Sequence, residues 1–343
     1  MVLLNQSIFM TGGTGFIGSH LVNKLSALGY QITVLQRTST SRAVIGRPTL
    51  PTTIKTVVGD ILHPESYQDA MMGHDTVIHL AADYRVGLPP SRQAHQGMYQ
   101  TNVVGTAQVI EAAERAKIPQ ILYMSTTAAF GETHGQLLDE SHRHNGVFRS
   151  YYEETKHIAH ELVVKRQQLG SPINIAICSG VFGPGDNSVL AQTIEAYFRQ
   201  KIPFQIATTS TFQLCHVNHI CDGLIKLLSP EIQRQSYLLT GATFSMPEIF
   251  QLLSQITYKD ELSSKSASSL KPLAWIMDKL AGLGLTMPLS QEALRIMDGS
   301  SYTYSSEKAQ RELGWCAGES KNELIDVIIQ QKNAFDIINK DGI

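Results

Sequence analysis

The chain of 343 residues is predicted to be an α/β protein with a doubly wound parallel sheet and a smaller, mostly helical part. Three observations lead to this prediction. Short apolar runs alternate with helical patterns through the first half of the chain. A glycine-rich turn separates the first apolar run from the first helical pattern, and helical patterns dominate after residue 180.

Six apolar runs are predicted to be the strands of the sheet. They are unbroken rather than alternating, which is typical of strands that are buried on both faces. The spacers between most of them are long enough for crossover helices, so the strands are expected to be parallel. The runs cover residues 7–11, 31–36, 53–59, 76–81, 120–125 and 173–179.

The later part of the chain reads mainly as helices. Ser245 and Glu248 have the spacing of a capping box, which marks the start of a helix. The serine-rich run 263–269 is expected to be a mobile loop. The apolar segment 272–285 is too short to span a bilayer and is expected to be a buried or lid-like helix.

Charge and composition narrow the choice of partner. The net charge of −2 and the isoelectric point near 6.6 provide no basic field that would attract nucleic acid or an anionic membrane. A small-molecule partner is therefore expected, with no nucleic acid and no membrane. The first residues show no charged leader before a cleavage site, and the protein is expected to be cytoplasmic.

No metal site is predicted from the cysteines and histidines. The four cysteines lack the paired spacing of a zinc site and are expected to be free thiols, mostly buried. His142 and His144 have no third ligand nearby in the sequence and are interpreted as part of a solvated loop. His79 lies inside a predicted strand and is interpreted as a hydrogen-bonded core residue.

A glycine-rich turn follows the first strand. Gly12, Gly15 and Gly18 are three residues apart, and an amphipathic helical pattern begins at Phe16 and closes on Gly29. Such a turn either binds nothing or lets backbone amides approach a phosphate, and the order strand, turn, helix favours phosphate binding. The amides of Phe16 and Ile17, at the start of the helix, are then expected to face the pyrophosphate of a dinucleotide.

This turn makes the sheet domain a Rossmann-type dinucleotide-binding domain. The other part is expected to bind the substrate. We assign residues 1–178 and 212–240 to the dinucleotide-binding domain, and residues 179–211 and 241–343 to the substrate-binding part.

The end of the second strand favours NADP over NAD. An NAD site usually has an acidic residue there, whereas this chain has Gln36 and Arg37. A guanidinium can hold a 2′-phosphate, although Arg37 could also be a solvated residue and Arg42 could equally contact the phosphate. Asp60, followed by Ile61 at the end of the third strand, is interpreted either as an acceptor for the adenine amino group or as a helix cap.

A tyrosine and a lysine are the candidate reacting groups. Tyr152 and Lys156 are four residues apart, so they share one face of a helix. A nearby ammonium is expected to lower the pKa of the phenol, which makes Tyr152 a proton donor or acceptor for an alcohol or carbonyl oxygen. This spacing often arises by chance, but the hydroxyl-rich run 124–132 at the end of a predicted strand supports it.

The sequence resembles the extended short-chain dehydrogenases/reductases, within the NAD-dependent epimerase/dehydratase superfamily, over nearly its whole length. The resemblance rests on "TGGTGFIG", "HLAAD", "YQTNVVGT", "YMSTTAAFG", "YYEETK", "SGVFGPGDNS" and "HVNHICDG". It implies that Thr126, beside Ser125, acts with Tyr152 and Lys156 as the catalytic set, and that Lys156 also holds the nicotinamide ribose. It further implies that three residues line the cofactor site, namely Ala81, Ala82 and Asn102.

Departures from the family pattern indicate the branch. Sugar-nucleotide epimerases of the family usually carry an Asn and an Arg for the substrate diphosphate where this chain has Gly180 and Phe212. The acidic pair of the 4,6-dehydratases is replaced by Thr127 and Ala128, and no cysteine follows the active-site Thr. The remaining likeness, in "AADYRVG" and "SGVFGPGDNS", is to the dihydroflavonol 4-reductase-like branch.

The leading hypothesis is an NADP-dependent reductase of a ketone or aldehyde, acting on a small, hydrophobic molecule with Tyr152 as proton donor. A nucleotide-sugar epimerase with tightly held NAD is the first alternative. A protein that senses NADP without catalysis is the second. The resemblance also implies a homodimer through the helices predicted at 103–116 and 151–161.

Overall fold

The computed structural model describes residues 6–38, 46–85, 92–282, 285 and 289–340. Its strands are β1 (Ser7–Thr11), β2 (Gln31–Gln36), β3 (Lys55–Val58), β4 (Thr76–His79), β5 (Gln120–Thr126), β6 (Ile173–Cys178), β7 (Gly180–Phe182), β8 (Gln205–Ala207), β9 (Thr211–His216), β10 (Ser236–Leu239), β11 (Ala242–Ser245), β12 (Ser264–Ser266) and β13 (Ser301–Tyr302).

The helices alternate with the strands in the first half and dominate the second. They are α1 (Phe16–Ala27), α2 (Gln68–Met71), α3 (Arg92–Tyr99), α4 (Thr106–Arg115), α5 (Tyr151–Gln168), α6 (Val189–Phe198), α7 (Val217–Lys226), α8 (Met246–Thr257), α9 (Ala267–Gly282), α10 (Gln291–Ile296), α11 (Glu307–Leu313) and α12 (Ser320–Lys340). A π-helical turn, Gln100–Gly105, joins α3 to α4.

Seven parallel strands form the central sheet in the order β3-β2-β1-β4-β5-β6-β10. The chain runs outward from β1 in both directions, so β1 and β4 are neighbours at the point where the strand order reverses. In open α/β sheets, ligands bind beyond the carboxyl ends of the strands at this point. The prediction of a doubly wound parallel sheet is confirmed.

Both faces of the sheet are covered. On one face, Leu21 and Val22 of α1 pack with Ile220 and Leu224 of α7. On the other face, α4 and α5 cover the aromatic and β-branched side chains of the strands. The inner strands β1, β2 and β4 to β6 carry unbroken apolar runs because neither of their faces meets water. The edge strand β3 departs from the expectation of burial on both faces, because only β2 flanks it and three of its four residues are exposed.

The second part is built around a small sheet of β7, β9, β11 and β13, packed against α6, α8 and α12. Ser245 and Glu248 form the predicted capping box, in which the Ser245 hydroxyl accepts from the Glu248 amide at 3.3 Å and the Glu248 carboxylate accepts from the Ser245 amide at 2.7 Å. The division of the chain into two domains stays a prediction.

One expectation about the later segments needs correction, and one alternative of another is excluded. The run 263–269 is not a loop, because residues 264–266 pair in parallel with β8 through backbone hydrogen bonds, which do not depend on the serine side chains. In α9 only one side is buried, including Leu270 and Ala274, and Trp275 and Ile276 are about half exposed, at 54% and 49%, so the helix is not buried as a whole. The lid-like alternative stays a prediction. Within the described residues, no helix has the length and apolar character needed to cross a bilayer.

Candidate active site

The glycine turn brings the ends of β1 and β4 into backbone contact. Gly12 has φ of +75°, and a Cβ placed on it would lie 2.6 Å from the amide nitrogen of Ala81. A Cβ on Gly18 would lie 2.1 Å from the carbonyl oxygen of Gly12, which lets α1 begin directly against the turn. These contacts explain why glycine is needed at both positions.

The start of α1 suits an anion. Gly15 is the N-cap and provides no side chain to bond the first amides, and the first turn contains no acidic residue. The amides of Phe16 and Ile17 therefore have no partner one turn earlier in the helix, and the helix dipole favours negative charge there. This glycine cradle fits the diphosphate of a dinucleotide.

Helix α5 places the candidate tyrosine and lysine at the carboxyl end of the sheet. Ser150 caps the helix by accepting a hydrogen bond from the amide of Glu153 at 3.1 Å. Tyr152 is 9% exposed and Lys156 is 4% exposed, one helical turn later. The edge of the Tyr84 ring packs against the Tyr152 ring, with the two centroids 4.9 Å apart.

The ammonium of Lys156 has only neutral hydrogen-bond partners among the described residues. It donates to the Tyr123 hydroxyl at 3.3 Å and to the Met124 carbonyl oxygen at 3.3 Å. Because burial disfavours the charged form, the pKa of Lys156 is lowered to about 8. A third ammonium hydrogen is left for another acceptor, such as the hydroxyls of a ribose.

The pKa of Tyr152 is raised, and the expectation that a nearby ammonium lowers it is wrong for this structure. Burial is the main cause, followed by the neighbouring phenols of Tyr84 and Tyr123, while a side-chain hydrogen bond with Thr126 acts in the opposite direction. The Lys156 ammonium is engaged by Tyr123 and Met124 instead. Tyr152 is therefore a protonated phenol at neutral pH.

Two hydroxyl residues at the end of β5 have different surroundings. The Ser125 hydroxyl is buried and lies 2.9 Å from Nδ1 of His160, on α5. Thr126 is half-buried, and its hydroxyl accepts from the amide of Ala128 at 3.3 Å and interacts with Tyr152. Thr126, rather than Ser125, is thus the hydroxyl beside the candidate proton donor.

The side chain of Asn102 links the backbone at Asp83, after β4, to helix α5. Its Oδ1 accepts from the amide of Asp83 at 2.7 Å, and its Nδ2 donates to the Asp83 carbonyl at 3.0 Å and to the Thr155 hydroxyl at 3.1 Å. The amide of Ala81 approaches the Thr11 hydroxyl at 3.4 Å, and Ala82 is exposed. The structure thus gives Asn102 a positioning role, and contact of these residues with the cofactor stays a prediction.

The residues that were assigned to the adenosine end lie at the ends of β2 and β3. Arg37 is exposed, and Arg42 lies outside the described residues. The Asp60 carboxylate accepts from the amide of Leu62 at 2.9 Å and stabilises a turn. It is not a helix cap, because the N-cap of the following 3₁₀ turn, Pro64–Ser66, is His63. Ile61 is 8% exposed. Contact of Arg37, Asp60 and Ile61 with the adenosine of the cofactor stays a prediction.

The histidine expectations had different outcomes. His79 is a hydrogen-bonded core residue as predicted, 2.6 Å from the Thr11 hydroxyl and 3.0 Å from the Thr106 hydroxyl. The side chain of His144 is fully buried rather than solvated, with Nε2 lying 3.4 Å from the Glu153 carboxylate. Among the described residues, no group of three or more His, Cys, Asp or Glu side chains is arranged to hold a metal ion.

Comparison with known proteins identifies the family. A model of the NAD dependent epimerase/dehydratase family matches residues 8–237. The chain belongs to this family. Together with the reductase and dehydrogenase names among its relatives, this membership makes the protein an NAD(P)-dependent enzyme of the extended short-chain dehydrogenase/reductase type.

Three similar proteins match this chain over almost its whole length. A 4-hydroxy-2-methyl-3-oxo-4-farnesyl-3,4-dihydroquinoline-1-oxide ketoreductase of Stigmatella aurantiaca is 26% identical, covering 94% of this chain and 95% of its own. A Synechocystis sp. protein named "Putative dihydroflavonol 4-reductase" is 28% identical, covering 95% of each chain. The crystal structure of gox2253 is 26% identical with a TM-score of 0.77, covering 98% of this chain and 99% of its own.

Sequence reasoning missed three residues that contact the candidate site. Tyr84 contacts Tyr152, and its place in the "AADYRVG" motif was the available signal. Tyr123 accepts a hydrogen bond from Lys156. Sequence alone does not distinguish an aromatic residue of this kind, in a buried strand, from an ordinary core residue. Arg47 reaches the glycine turn from a segment that showed no pattern.

Proposed function

We propose that this family member is an NADP-dependent reductase of a ketone or aldehyde in a small, hydrophobic molecule, with Tyr152 as proton donor. One observation carries the proposal. A buried phenol lies beside the Thr126 hydroxyl, at the sheet end where the glycine turn offers a dinucleotide site. The phenol is protonated at neutral pH and can donate to a carbonyl oxygen. Burial makes it a weaker acid than a free tyrosine, and its hydrogen bond with Thr126 partly offsets this effect.

Three residues of the chain have separate roles in the proposed reduction. Thr126 and Tyr152 hydrogen-bond the substrate oxygen, and Tyr152 transfers its proton to that oxygen as it gains negative charge. The hydrogen bond with Thr126, which lowers the pKa of Tyr152, stabilises the phenolate that remains. Lys156 donates its remaining ammonium hydrogen to the ribose hydroxyls of the cofactor. The dinucleotide, when bound, supplies the hydride.

The preference for NADP is supported by the end of β2. Gln36 and Arg37 stand where an NAD site usually has a carboxylate for the ribose hydroxyls. A carboxylate would repel a 2′-phosphate, whereas the exposed guanidinium of Arg37 can bond it in a planar fork.

The small sheet supports a substrate other than a sugar nucleotide. A Cβ on Gly180 would lie 2.8 Å from Cδ2 of Leu214 and 3.0 Å from the carbonyl oxygen of Gln213, so the Asn of sugar-nucleotide epimerases does not fit there without a shift. Phe212 pairs with Phe244 in this sheet and supplies no charge for a diphosphate. Loss of both groups would leave a buried diphosphate poorly compensated.

A hydrophobic substrate is supported from two directions. The Stigmatella aurantiaca relative is named for a farnesyl-bearing ketone substrate. In this chain, α10 supplies Glu292, whose carboxylate accepts from the Tyr151 amide at 3.0 Å, next to Tyr152. The neighbouring α9 packs on Leu294 of α10 through Leu270 and Ala274. It exposes Leu273, Trp275 and Ile276, so this part of the chain presents apolar surface to solvent.

The test is a parallel titration of the purified protein with NADPH and NADH, for the wild type and Arg37→Asp. We expect NADPH to bind at least about tenfold more tightly than NADH, and this preference to vanish in the variant. A panel of apolar ketones and aldehydes should then oxidise NADPH. Tightly held NAD that co-purifies and supports interconversion of a sugar nucleotide would replace this proposal with an epimerase. NADPH binding without oxidation by any carbonyl compound would favour a sensor of NADP.

A homodimer is part of the same proposal. It is supported by the family likeness, and it would use α4 and α5, which lie side by side and are joined by the ion pair of Arg166 and Glu114 at 2.8 Å. Light scattering should give a solution mass of about twice that of one chain, and a mass of one chain would contradict it.

A further inference from the structure

Arg47 is held against another segment by close backbone packing. Gly46 and Gly185 both have φ of +78°, and a Cβ on Gly185 would lie 2.5 Å from Cα of Arg47. A Cβ on Gly46 would lie 2.9 Å from the amide nitrogen of Gly185. Because only glycines allow this contact, the position of Arg47 is set by the fold and not by a flexible loop.

The guanidinium of Arg47 bridges two loops but is weakly satisfied. It donates to the carbonyl oxygens of Thr14 and Gly185, each at 3.4 Å, and to the side-chain oxygen of Asn187 at 3.3 Å. These distances exceed the usual N–H···O range of about 2.7 to 3.2 Å. The Nε atom is buried and has no hydrogen-bond partner.

No carboxylate of the described residues pairs with this cation. Arg47 forms no salt bridge there, and burial lowers the pKa of its guanidinium, which only the charge of Asp186 opposes. The Asp186 carboxylate is itself bonded to the amide and the hydroxyl of Ser188, at 2.7 and 2.8 Å. A partly buried, unpaired arginine is costly, which indicates that its partner is an anion from outside the chain.

The position of the guanidinium indicates which anion. Thr14 lies inside the glycine turn, directly before Gly15, the N-cap of α1. Two features that each favour negative charge therefore meet at this turn, namely a helix start without a capping side chain and an arginine without an acidic partner.

We infer that Arg47 binds a phosphate group of the dinucleotide, either in the diphosphate or at the 2′ position. This inference rests on the dinucleotide binding of the proposed function, and it adds a second cationic residue to the exposed Arg37. Because Arg47 is less exposed to water than Arg37, its charge is screened less, and its loss should weaken binding more.

The alternative is that Arg47 only clamps the segment at Gly185 onto the glycine turn. Both roles use the same hydrogen bonds, so the test must measure ligand binding and stability separately. Arg47→Met removes the charge and keeps an apolar stem, and Arg47→Lys keeps the charge without the planar fork. Arg311→Met, at an exposed position on α11, is the matched control.

Calorimetric titrations with NADPH, NADH, ADP and 2′-AMP distinguish the two phosphates. If Arg47 contacts the diphosphate, Arg47→Met should weaken ADP and both dinucleotides by about tenfold or more. If it contacts the 2′-phosphate, only NADPH and 2′-AMP should weaken. Arg47→Lys should lie between wild type and Arg47→Met, and Arg311→Met should bind as wild type does.

Unchanged binding of all four probes by Arg47→Met, with a lowered melting temperature, would overturn the inference. Arg47 would then only hold the segment at Gly185 against the glycine turn. The proposed function would survive that result, because the wild type would still bind a dinucleotide. Failure of the wild type to bind NADPH and NADH would instead overturn the proposed function and this inference together. If Arg47→Met does not fold, the same comparison is made with Arg47→Lys.

Discussion

The ammonium of Lys156 donates a hydrogen bond to the phenolic oxygen of Tyr123, 33 residues earlier in the chain, at 3.3 Å. The two side chains are fully or almost fully buried, at 4% and 1% exposure, and Lys156 has no carboxylate partner among the described residues. Burial is the main cause of the lowered pKa of Lys156, about 8, and Cys178 acts in the opposite direction. The ammonium form of Lys156 is therefore less favoured than that of an exposed lysine.

The first prediction concerns this hydrogen bond. Tyr123→Phe removes an acceptor that stabilises the ammonium, so the pKa of Lys156 should fall further, by about half a unit to one unit. The basic limb of the profile of kcat/KM against pH should move to lower pH by that amount. Tyr237→Phe, which removes a phenol bonded to Glu312 away from the site, is the control. A basic limb that stays in place would show that Tyr123 does not tune Lys156.

The second prediction concerns the proton donor. Tyr152→Phe should lower kcat by about a hundredfold to ten-thousandfold, because general acid catalysis is lost. NADPH affinity should remain nearly unchanged. Tyr151→Phe is the matched control, since Tyr151 stacks on His95 with centroids 4.0 Å apart and has no lysine four residues later that it could use. Turnover at the wild-type rate in Tyr152→Phe would remove Tyr152 from the mechanism.

The third prediction uses a matched pair of glycines. Gly12 and Gly29 both have positive φ, at +75° and +87°, so alanine costs about 1 to 2 kcal/mol of stability at either position. Only at Gly12 would the new methyl group also collide with backbone, at Ala81, whereas Gly29 has open space. Gly12→Ala should therefore lose more stability in urea unfolding than Gly29→Ala, and it alone should weaken NADPH binding. Equal losses in the two variants would contradict the close approach at Gly12.

The fourth prediction concerns Glu153, next to Tyr152. Burial raises the pKa of this carboxyl to about 7, above its ordinary value of 4.5. The folded state then binds the proton more tightly than the unfolded state, so the cost to stability is absent below about pH 4.5 and complete above about pH 7. His144 and Tyr302 face the same carboxylate, and burial lowers the pKa of His144 to about 4, so His144 is neutral across this range.

Glu153→Gln removes that cost and keeps an acceptor for the Arg149 amide, which bonds the carboxylate at 2.7 Å. The melting temperature of the variant should rise relative to wild type between pH 5 and pH 8. Glu154→Gln, at the next and more exposed position, should show no such trend. A difference between variant and wild type that is the same at both pH values would refute the linkage.

Much of the fold was predictable because its signals are local. Unbroken apolar runs identify β1, β2 and β4 to β6 within a few residues, and the turn at Gly12 identifies the start of α1. The prediction of a loop at 263–269 was wrong. It relied on the serine content of the run, whereas β12 forms there through backbone hydrogen bonds to β8. Amino-acid composition describes the side chains and does not predict the backbone pairing of two strands.

The sequence by itself determined the strands β1 to β6, the glycine turn and the placement of Tyr152 and Lys156 on one helical face. Each of these follows from spacing over a few residues. The tertiary structure decided that Lys156 bonds Tyr123, that Arg47 meets Thr14, and that the pKa of Tyr152 is raised. Those outcomes depend on which distant groups are packed together and how far water is excluded from them, and no local pattern encodes either quantity.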